Sequence, residues 1–159
     1  MLISSEASAR VQMAEDGPEV SRFVAGLWRM ADWGLSTTER AALLEQYVSL
    51  GVTTLDHADI YGDYRCEALF GEALVQLPGM REQMEIVTKC GIKPLSKAFP
   101  SRYVKHYDTG VGHIMAAVDD SLARLKCGYL DLLLIHRSDP LMQADEVAEA
   151  FSRLRQSGK

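Results

Sequence analysis

The sequence of 159 residues has no long apolar segment, no run of basic residues and no signal-like amino terminus. Its longest largely apolar stretch, residues 130–135, is far shorter than the roughly 18 to 20 residues that cross a bilayer. The 17 basic and 22 acidic side chains give a formal charge of −5 without a cluster of Lys or Arg. We therefore expect neither nucleic acid nor a membrane as partner.

Cysteine is also scarce. Cys66, Cys90 and Cys127 are an odd number, widely spaced and without a CxxC pair, which disfavours a disulfide framework and a zinc cage. His and Asp residues at positions 57, 59, 106 and 113 show no HxH or HExxH spacing, so we predict no metal site. A reducing, cytoplasmic location is the simplest expectation.

Strand-like and helix-like segments alternate along the chain. Residues 10–14 and 20–24 flank an Asp-Gly turn and predict a hairpin, or a hairpin that runs into a first strand. Strand-like runs follow at 52–56, 84–88 and 130–135. The last run is so continuously apolar that we expect it to be buried on both faces.

The predicted helices begin and end at recognisable signals. Ser36 and Glu39 form a capping-box pattern, and Gly51 follows as a left-handed stop. Three further helices are predicted, from about 65 to 77, from 114 to a stop at 128, and from 147 to a stop at 158. A long loop from 91 to about 112 separates the first of these three helices from the second.

This order predicts βαβ units with a parallel sheet in one continuous α/β unit, residues 1–159. Two architectures remain open at this point: a complete small open sheet, or about the first four units of a (β/α)8 barrel, which needs eight units in roughly 250 residues. The final residues, 157–159, resemble the turn between a helix and a following strand. We therefore expect a domain that is truncated before its fifth strand.

A polar residue stands at the carboxyl end of three consecutive predicted strands: Asp56, Lys89 and His136. The carboxyl ends of parallel strands are where α/β folds place their sites, so these side chains should lie close together. Taken alone, an Asp56–Lys89 ion pair could be structural. Tyr61, five residues after Asp56, changes this interpretation, because a neighbouring ammonium favours a phenolate and makes a tyrosine a usable general acid. His136 would help to hold a carbonyl oxygen.

Three segments carry a family resemblance: GVTTLDHADIYG at 51–62, IVTKCG at 86–91 and DLLLIHR at 131–137. Together they resemble the amino-terminal half of the aldo-keto reductase superfamily, in its bacterial oxidoreductase branch. The resemblance implies a (β/α)8 TIM barrel with an amino-terminal β-hairpin. It also implies an oxidoreductase that reduces an aldehyde or ketone with hydride from NADPH, or oxidises an alcohol in reverse, so the expected partner is a small carbonyl or alcohol.

The resemblance also implies roles for the site residues. Tyr61 would protonate the carbonyl oxygen, Lys89 would activate the tyrosine, Asp56 would anchor Lys89, and His136 would orient the carbonyl. The cofactor-binding candidates are Gly26, Leu27, Trp28 and Asp56. The chain departs from the family pattern at His57, where Thr is common, and at the pair 26–27, where Gly-Thr is common.

Strands five to eight, which in the family provide most cofactor contacts, are not present in this sequence. One alternative is therefore a catalytically inactive barrel fragment that acts as a binding or assembly module, with self-association through open barrel edges. Another is a small flavodoxin-like domain, for which residues 26–30 make a poor phosphate loop. The basic residues at 93, 97, 102 and 105 are interpreted as a solvated loop face.

Overall fold

A computed structural model describes residues 9–159. The chain opens with an antiparallel hairpin of β1 (Arg10–Gln12) and β2 (Glu19–Ser21), as predicted. Arg10 donates hydrogen bonds to Thr53 at 3.1 Å and to the Glu85 carboxylate at 2.7 Å. These contacts fasten the hairpin to the amino-terminal end of the sheet that follows.

The centre of the fold is a four-stranded parallel sheet. Its strands, in their order across the sheet, are β3 (Val24–Gly26), β4 (Thr54–Asp56), β5 (Glu85–Cys90) and β8 (Leu132–Ile135). Each adds to the edge of the one before it in the chain, which is the order in which the first four strands of a (β/α)8 barrel lie. The α/β prediction is confirmed.

Four α-helices cover one face of this sheet: α1 (Thr37–Ser49), α2 (Cys66–Leu74), α3 (Val111–Leu125) and α4 (Ala144–Gln156). Short 3-10 turns lie at Met30–Asp32 and Arg81–Gln83. The predicted capping box of α1 is present, with Glu39 accepting from the Ser36 amide at 2.8 Å and donating its own amide to the Ser36 hydroxyl. None of the helices in residues 9–159 is long and apolar enough to span a membrane.

The structure differs from two predictions, one on the loop from 91 to 112 and one on the end of the third helix. The segment from 91 to 112 contains a second small antiparallel pair, β6 (Ile92–Lys93) with β7 (His106–Tyr107), which folds the loop back on itself. The third helix ends at Leu125 and not at Gly128, and Lys126 caps it in the left-handed conformation at φ 57°. The predicted stop at Gly51 is left-handed, at φ 75°.

The prediction that the last strand is buried on both faces was wrong. Leu134 in β8 is 38% exposed, and the other residues of the strand are only half-buried. In the described chain β8 pairs with β5 alone, so one edge and the face away from the helices lack covering strands. A continuously apolar strand thus lies at the edge of the sheet.

The core lies between the sheet and the helices. One cluster joins α1 and α2 to the first strands and centres on Leu44, Leu55, Phe70 and Ile86, all 0% exposed. A second cluster joins α3 and α4 to β5 and β8; its buried members are Cys90, Ile114, Ala117, Val118, Ala150 and Leu154. This helix-covered face will be called the outer face, and the opposite one the inner face.

Candidate active site

The predicted site residues meet at the carboxyl end of the parallel sheet. Side chains alternate along a strand, and Leu55 and Thr88 contact the helix layer, so Asp56 and Lys89 lie on the inner face. Backbone hydrogen bonds continue past the strand ends, including His136 N to Cys90 O at 2.9 Å. The strands therefore hold these side chains in register as predicted.

Lys89 is the centre of the site. Its Nζ donates to Asp56 Oδ1 at 2.6 Å and to the His57 carbonyl at 2.6 Å, and lies 3.3 Å from the Tyr61 hydroxyl. A lysine ammonium has three N–H donors, and these contacts use all of them. The lysine side chain is only 14% exposed, so its position is fixed by both packing and hydrogen bonds.

Two aromatic rings surround Tyr61. The His136 ring stands edge-on to it, with centroids 5.8 Å apart and an interplanar angle of 81°. The centroid of the Trp28 ring lies 6.4 Å from that of Tyr61. Trp28 follows β3, at the opposite edge of the sheet from β8, and is 61% exposed. The tyrosine hydroxyl is thus placed between an ammonium, an imidazole and an exposed indole, at an open surface.

Burial lowers the pKa of His136, and the nearby charges of Lys89 and Arg137 lower it further. The imidazole is therefore neutral at pH 7, with one N–H donor and one acceptor nitrogen. Its Nδ1 is buried without a hydrogen-bond partner among residues 9–159. A neutral ring beside Tyr61 is suited to contacting an uncharged carbonyl group.

The three cofactor candidates at the carboxyl end of β3, residues 26–28, differ in the surface that they present to a ligand. A side chain built on Gly26 would meet open space, so the backbone next to Asp56 is accessible. Trp28 presents an exposed aromatic face, whereas the Leu27 side chain is fully buried in the core and offers no surface to a ligand. Of the four cofactor candidates, Gly26, Trp28 and Asp56 have exposed atoms at this surface and Leu27 does not.

His57, at the departure from the family pattern, lies inside the protein. Its ring is 0% exposed and stands edge-on to Phe70 at 4.6 Å. Burial first, and then the charge of Lys89, lowers the pKa of His57 to about 3. In the described chain no group of three or more His, Cys, Asp or Glu residues is arranged to hold a metal ion.

Sequence reasoning missed a buried polar cluster behind the site. Glu67 in α2 is 1% exposed, accepts from Thr88 at 2.6 Å and pairs with Arg124 at 2.8 Å. Burial, reinforced by the charge of Glu67, raises the pKa of Asp59 to about 7. The signal was available, because Glu67 precedes Phe70 and Leu74 at the spacing of one helix face.

The sequence predicts that the four basic loop residues form a solvated face, but two of them contact other side chains. Lys93 pairs with Asp108, and Arg102 donates to the Tyr64 hydroxyl at 2.6 Å. The guanidinium of Arg102 also lies 3.8 Å from the centroid of the Phe99 ring. Part of this loop is therefore attached to the segment that follows Tyr61.

Comparison with known proteins agrees with this geometry. Residues 22–159 match the model of the Aldo/keto reductase family. The chain is 53% identical to oxidoreductase YdhF of Escherichia coli over 94% of its length, and 46% identical to a 6-dehydroglucose reductase of Agrobacterium fabrum over 91%.

Among solved structures, the holo form of aldo-keto reductase AKR11C1 from Bacillus halodurans superposes with a TM-score of 0.77 at 29% identity. The superposed part covers 94% of this chain and 47% of the AKR11C1 chain. This chain likewise spans about half of the two curated relatives, 50% and 49%. The fold is a partial (β/α)8 barrel, and the chain belongs to the aldo/keto reductase family of oxidoreductases.

Proposed function

We propose that this chain carries the catalytic residues of an NADPH-dependent reductase of small aldehydes or ketones. The observation that supports this most directly is the position of Lys89 Nζ, between the Asp56 carboxylate at 2.6 Å and the Tyr61 hydroxyl at 3.3 Å. An ammonium held by a carboxylate stabilises the phenolate that remains after a tyrosine gives up its proton.

In the proposed step, Tyr61 donates its hydroxyl proton to the carbonyl oxygen while a hydride reaches the carbonyl carbon. The carbon–oxygen double bond becomes a C–O–H alcohol, and the phenolate of Tyr61 regains a proton from solvent. Lys89 stabilises the phenolate, Asp56 keeps the ammonium in place, and neutral His136 donates a hydrogen bond that orients the carbonyl.

NADPH, when bound, would supply the hydride. Gly26, Trp28 and Asp56 fit its nicotinamide end, because the open backbone at Gly26 and the exposed indole leave room for a flat ring beside Tyr61. The rest of the dinucleotide would be held by parts of the barrel that this chain does not include. The 6-dehydroglucose reductase relative makes an oxidised sugar a sensible first substrate.

The test of the proton donor is Tyr61→Phe, made in this chain joined to the carboxyl-terminal half of the E. coli relative. We expect carbonyl reduction to fall at least 100-fold, the lower range for a lost general acid. NADPH binding, followed by fluorescence, should stay within twofold. The matched control is Tyr103→Phe, since Tyr103 is 90% exposed. Full turnover in the Tyr61 variant would overturn the assignment.

A second candidate is a binding or assembly module without turnover, and the open sheet edges favour it. A groove of about 650 Å³ lies beside the free edge of β8; its lining includes Leu132, Leu133, Phe151 and Leu154. We propose that residues 1–159 are one partial barrel domain that ends before a fifth strand, and that this groove is filled by another half-barrel. In the 159-residue chain alone, the available half-barrel is a second copy, whose β3 edge would pair with β8.

Two measurements separate these candidates. Size-exclusion chromatography with light scattering tests self-association, and a monomer at 100 µM would overturn the edge pairing. Titration with NADPH tests the cofactor site, and tight binding by the 159-residue chain would contradict the view that most of the cofactor cradle lies elsewhere.

The proposal also includes a cytoplasmic location, supported by three free thiols that fit a reducing compartment.

A further inference from the structure

The turn that follows Tyr61 is left-handed over three consecutive residues. Gly62, Asp63 and Tyr64 have φ values of 59°, 58° and 67°. L residues with a side chain rarely adopt this conformation, and such strain persists only where the surroundings hold it in place. Asp63 and Tyr64 therefore need an external restraint.

Tyr61 depends on this turn for its position. Its carbonyl accepts hydrogen bonds from the amides of Arg65 and Cys66, each at 3.2 Å, which close the turn directly behind the proposed proton donor. The packing is tight, because a side chain on Gly62 would approach Cys66 Sγ to 2.6 Å and Ala31 Cβ to 2.8 Å. An opening of the turn would move the tyrosine backbone.

The restraint comes from the loop at 96–102, which lies more than 30 residues further along the chain. Ser96 donates to the Asp63 carboxylate, and Arg102 donates to the Tyr64 hydroxyl at 2.6 Å. The Tyr64 ring stands edge-on to Phe99 at 4.8 Å, and Arg102 lies over the Phe99 ring at 3.8 Å. Both strained residues are thus contacted from the same loop.

We propose that Arg102 is a positioning residue for Tyr61, acting through Tyr64 as a clamp on the left-handed turn. The clamp keeps the Tyr61 hydroxyl within reach of Lys89 by holding Tyr64, a strained residue that would otherwise relax. The role rests on the proposed function only in naming Tyr61 as proton donor; the clamp itself is a property of the turn and is measured without turnover.

Amide hydrogen exchange of the 159-residue chain tests the clamp, read at Arg65 and Cys66. We expect Arg102→Ala to speed exchange at both amides at least tenfold, because the turn then opens more often. The matched control is Lys105→Ala, which removes the same charge from the same loop; Lys105 lies near Tyr107 instead. The amide of Ile86, which donates to Asp131 at 2.8 Å, reports the stability of the sheet.

A pair of variants at Tyr64 separates restraint from general packing. Tyr64→Ala removes the clamp and keeps the strain, whereas Tyr64→Gly removes both, because glycine adopts positive φ without cost. We expect exchange at Arg65 and Cys66 to be at least tenfold slower in the glycine variant than in the alanine variant. Equal rates in the two variants, equal effects of the Arg102 and Lys105 variants, or an equal acceleration at Ile86 would each overturn the clamp.

Turnover then tests the consequence for Tyr61, in the chain joined to the second half of the E. coli relative. Arg102→Ala should lower kcat at least tenfold with an unchanged Kd for NADPH, and adding Tyr64→Gly should restore most of it. Faster exchange with an unchanged kcat would overturn the positioning role. A Tyr61→Phe variant that keeps full activity would instead overturn the proposed proton donor, so the two failures are distinguishable.

Discussion

The two faces of the parallel sheet differ sharply. On the outer face, Leu55 and Ile86 are 0% exposed beneath the helices. On the inner face, the side chains of the two edge strands are open, with Val24 49% and Leu134 38% exposed. The inner face nevertheless carries the ion pair of Asp56 and Lys89.

This difference separates what stabilises the half-barrel from what it offers for catalysis. The outer face buries enough apolar surface to hold the strands in register. Register alone then brings Asp56, Lys89 and His136 together at one end of the sheet. The inner face contributes less to stability, since the side chains of its two edge strands stay partly exposed in the described residues.

The largest expected effect is on the outer face. Phe70→Ala empties a fully buried site between α2 and the sheet. We expect the free energy of unfolding to fall by about 3 to 5 kcal/mol, as for buried Phe in other cores. Urea unfolding measures it, with Val75→Ala, at a residue that is 66% exposed, as the control. A loss below about 1 kcal/mol would mean that the outer face is not the stabilising one.

The buried carboxyl of Asp59 gives the next effect, and it depends on pH. The folded chain holds a proton up to about pH 7 that the unfolded chain releases near pH 4. Since the folded state binds more protons at Asp59 in this interval, the contribution of Asp59 to stability falls as the pH rises from about 4 to 7 and stays reduced above it.

Asp59→Asn removes this dependence. The variant should be more stable than the wild type by roughly 2 to 4 kcal/mol at pH 8 and nearly equal to it at pH 4. Burial lowers the pKa of His57 from its ordinary 6.5 to about 3, so its contribution to stability rises with pH over nearly the same interval, and the difference between variant and wild type is the quantity to plot. Asp120→Asn, at an exposed position, is the control. A difference that does not change with pH would contradict the prediction.

The smallest effect on stability is expected on the inner face. Leu134→Gln places a polar group where the side chain is already 38% exposed, so unfolding should change by less than about 0.5 kcal/mol. The same variant should weaken self-association, since it alters the free edge strand without altering the core. Light scattering against concentration measures this. Equal association of variant and wild type would exclude the β8 edge from the contact.

Local patterns predicted much of the fold. The capping box at Ser36 and the left-handed Gly51 were readable because each depends on a few adjacent residues. The positions of Asp56, Lys89 and His136 at the strand ends followed from the alternation of strands and helices. The proximity of Lys89 to Tyr61 is therefore a confirmed expectation of geometry, while the roles of these residues stay predictions.

Other features depended on contacts between distant segments. The clamp of Arg102 on Tyr64 spans 38 residues, and the pairing of Glu67 with Arg124 spans 57. The helix-face spacing of Glu67 indicates its burial, but no local pattern identifies the distant partner of either side chain. The same holds for Leu27, which follows an open glycine yet points into the core.

The sequence by itself determined the order of strands and helices and which polar residues end the strands, because periodicity and capping act over a few residues. Only the tertiary structure decided which face of the sheet is covered. The apolar run at 130–135 predicts a strand buried on both faces, but the burial of β8 depends on neighbouring strands and not on the strand's own residues. The pKa values of His57 and Asp59 depend on neighbouring segments in the same way, because burial by those segments is the largest cause of both shifts.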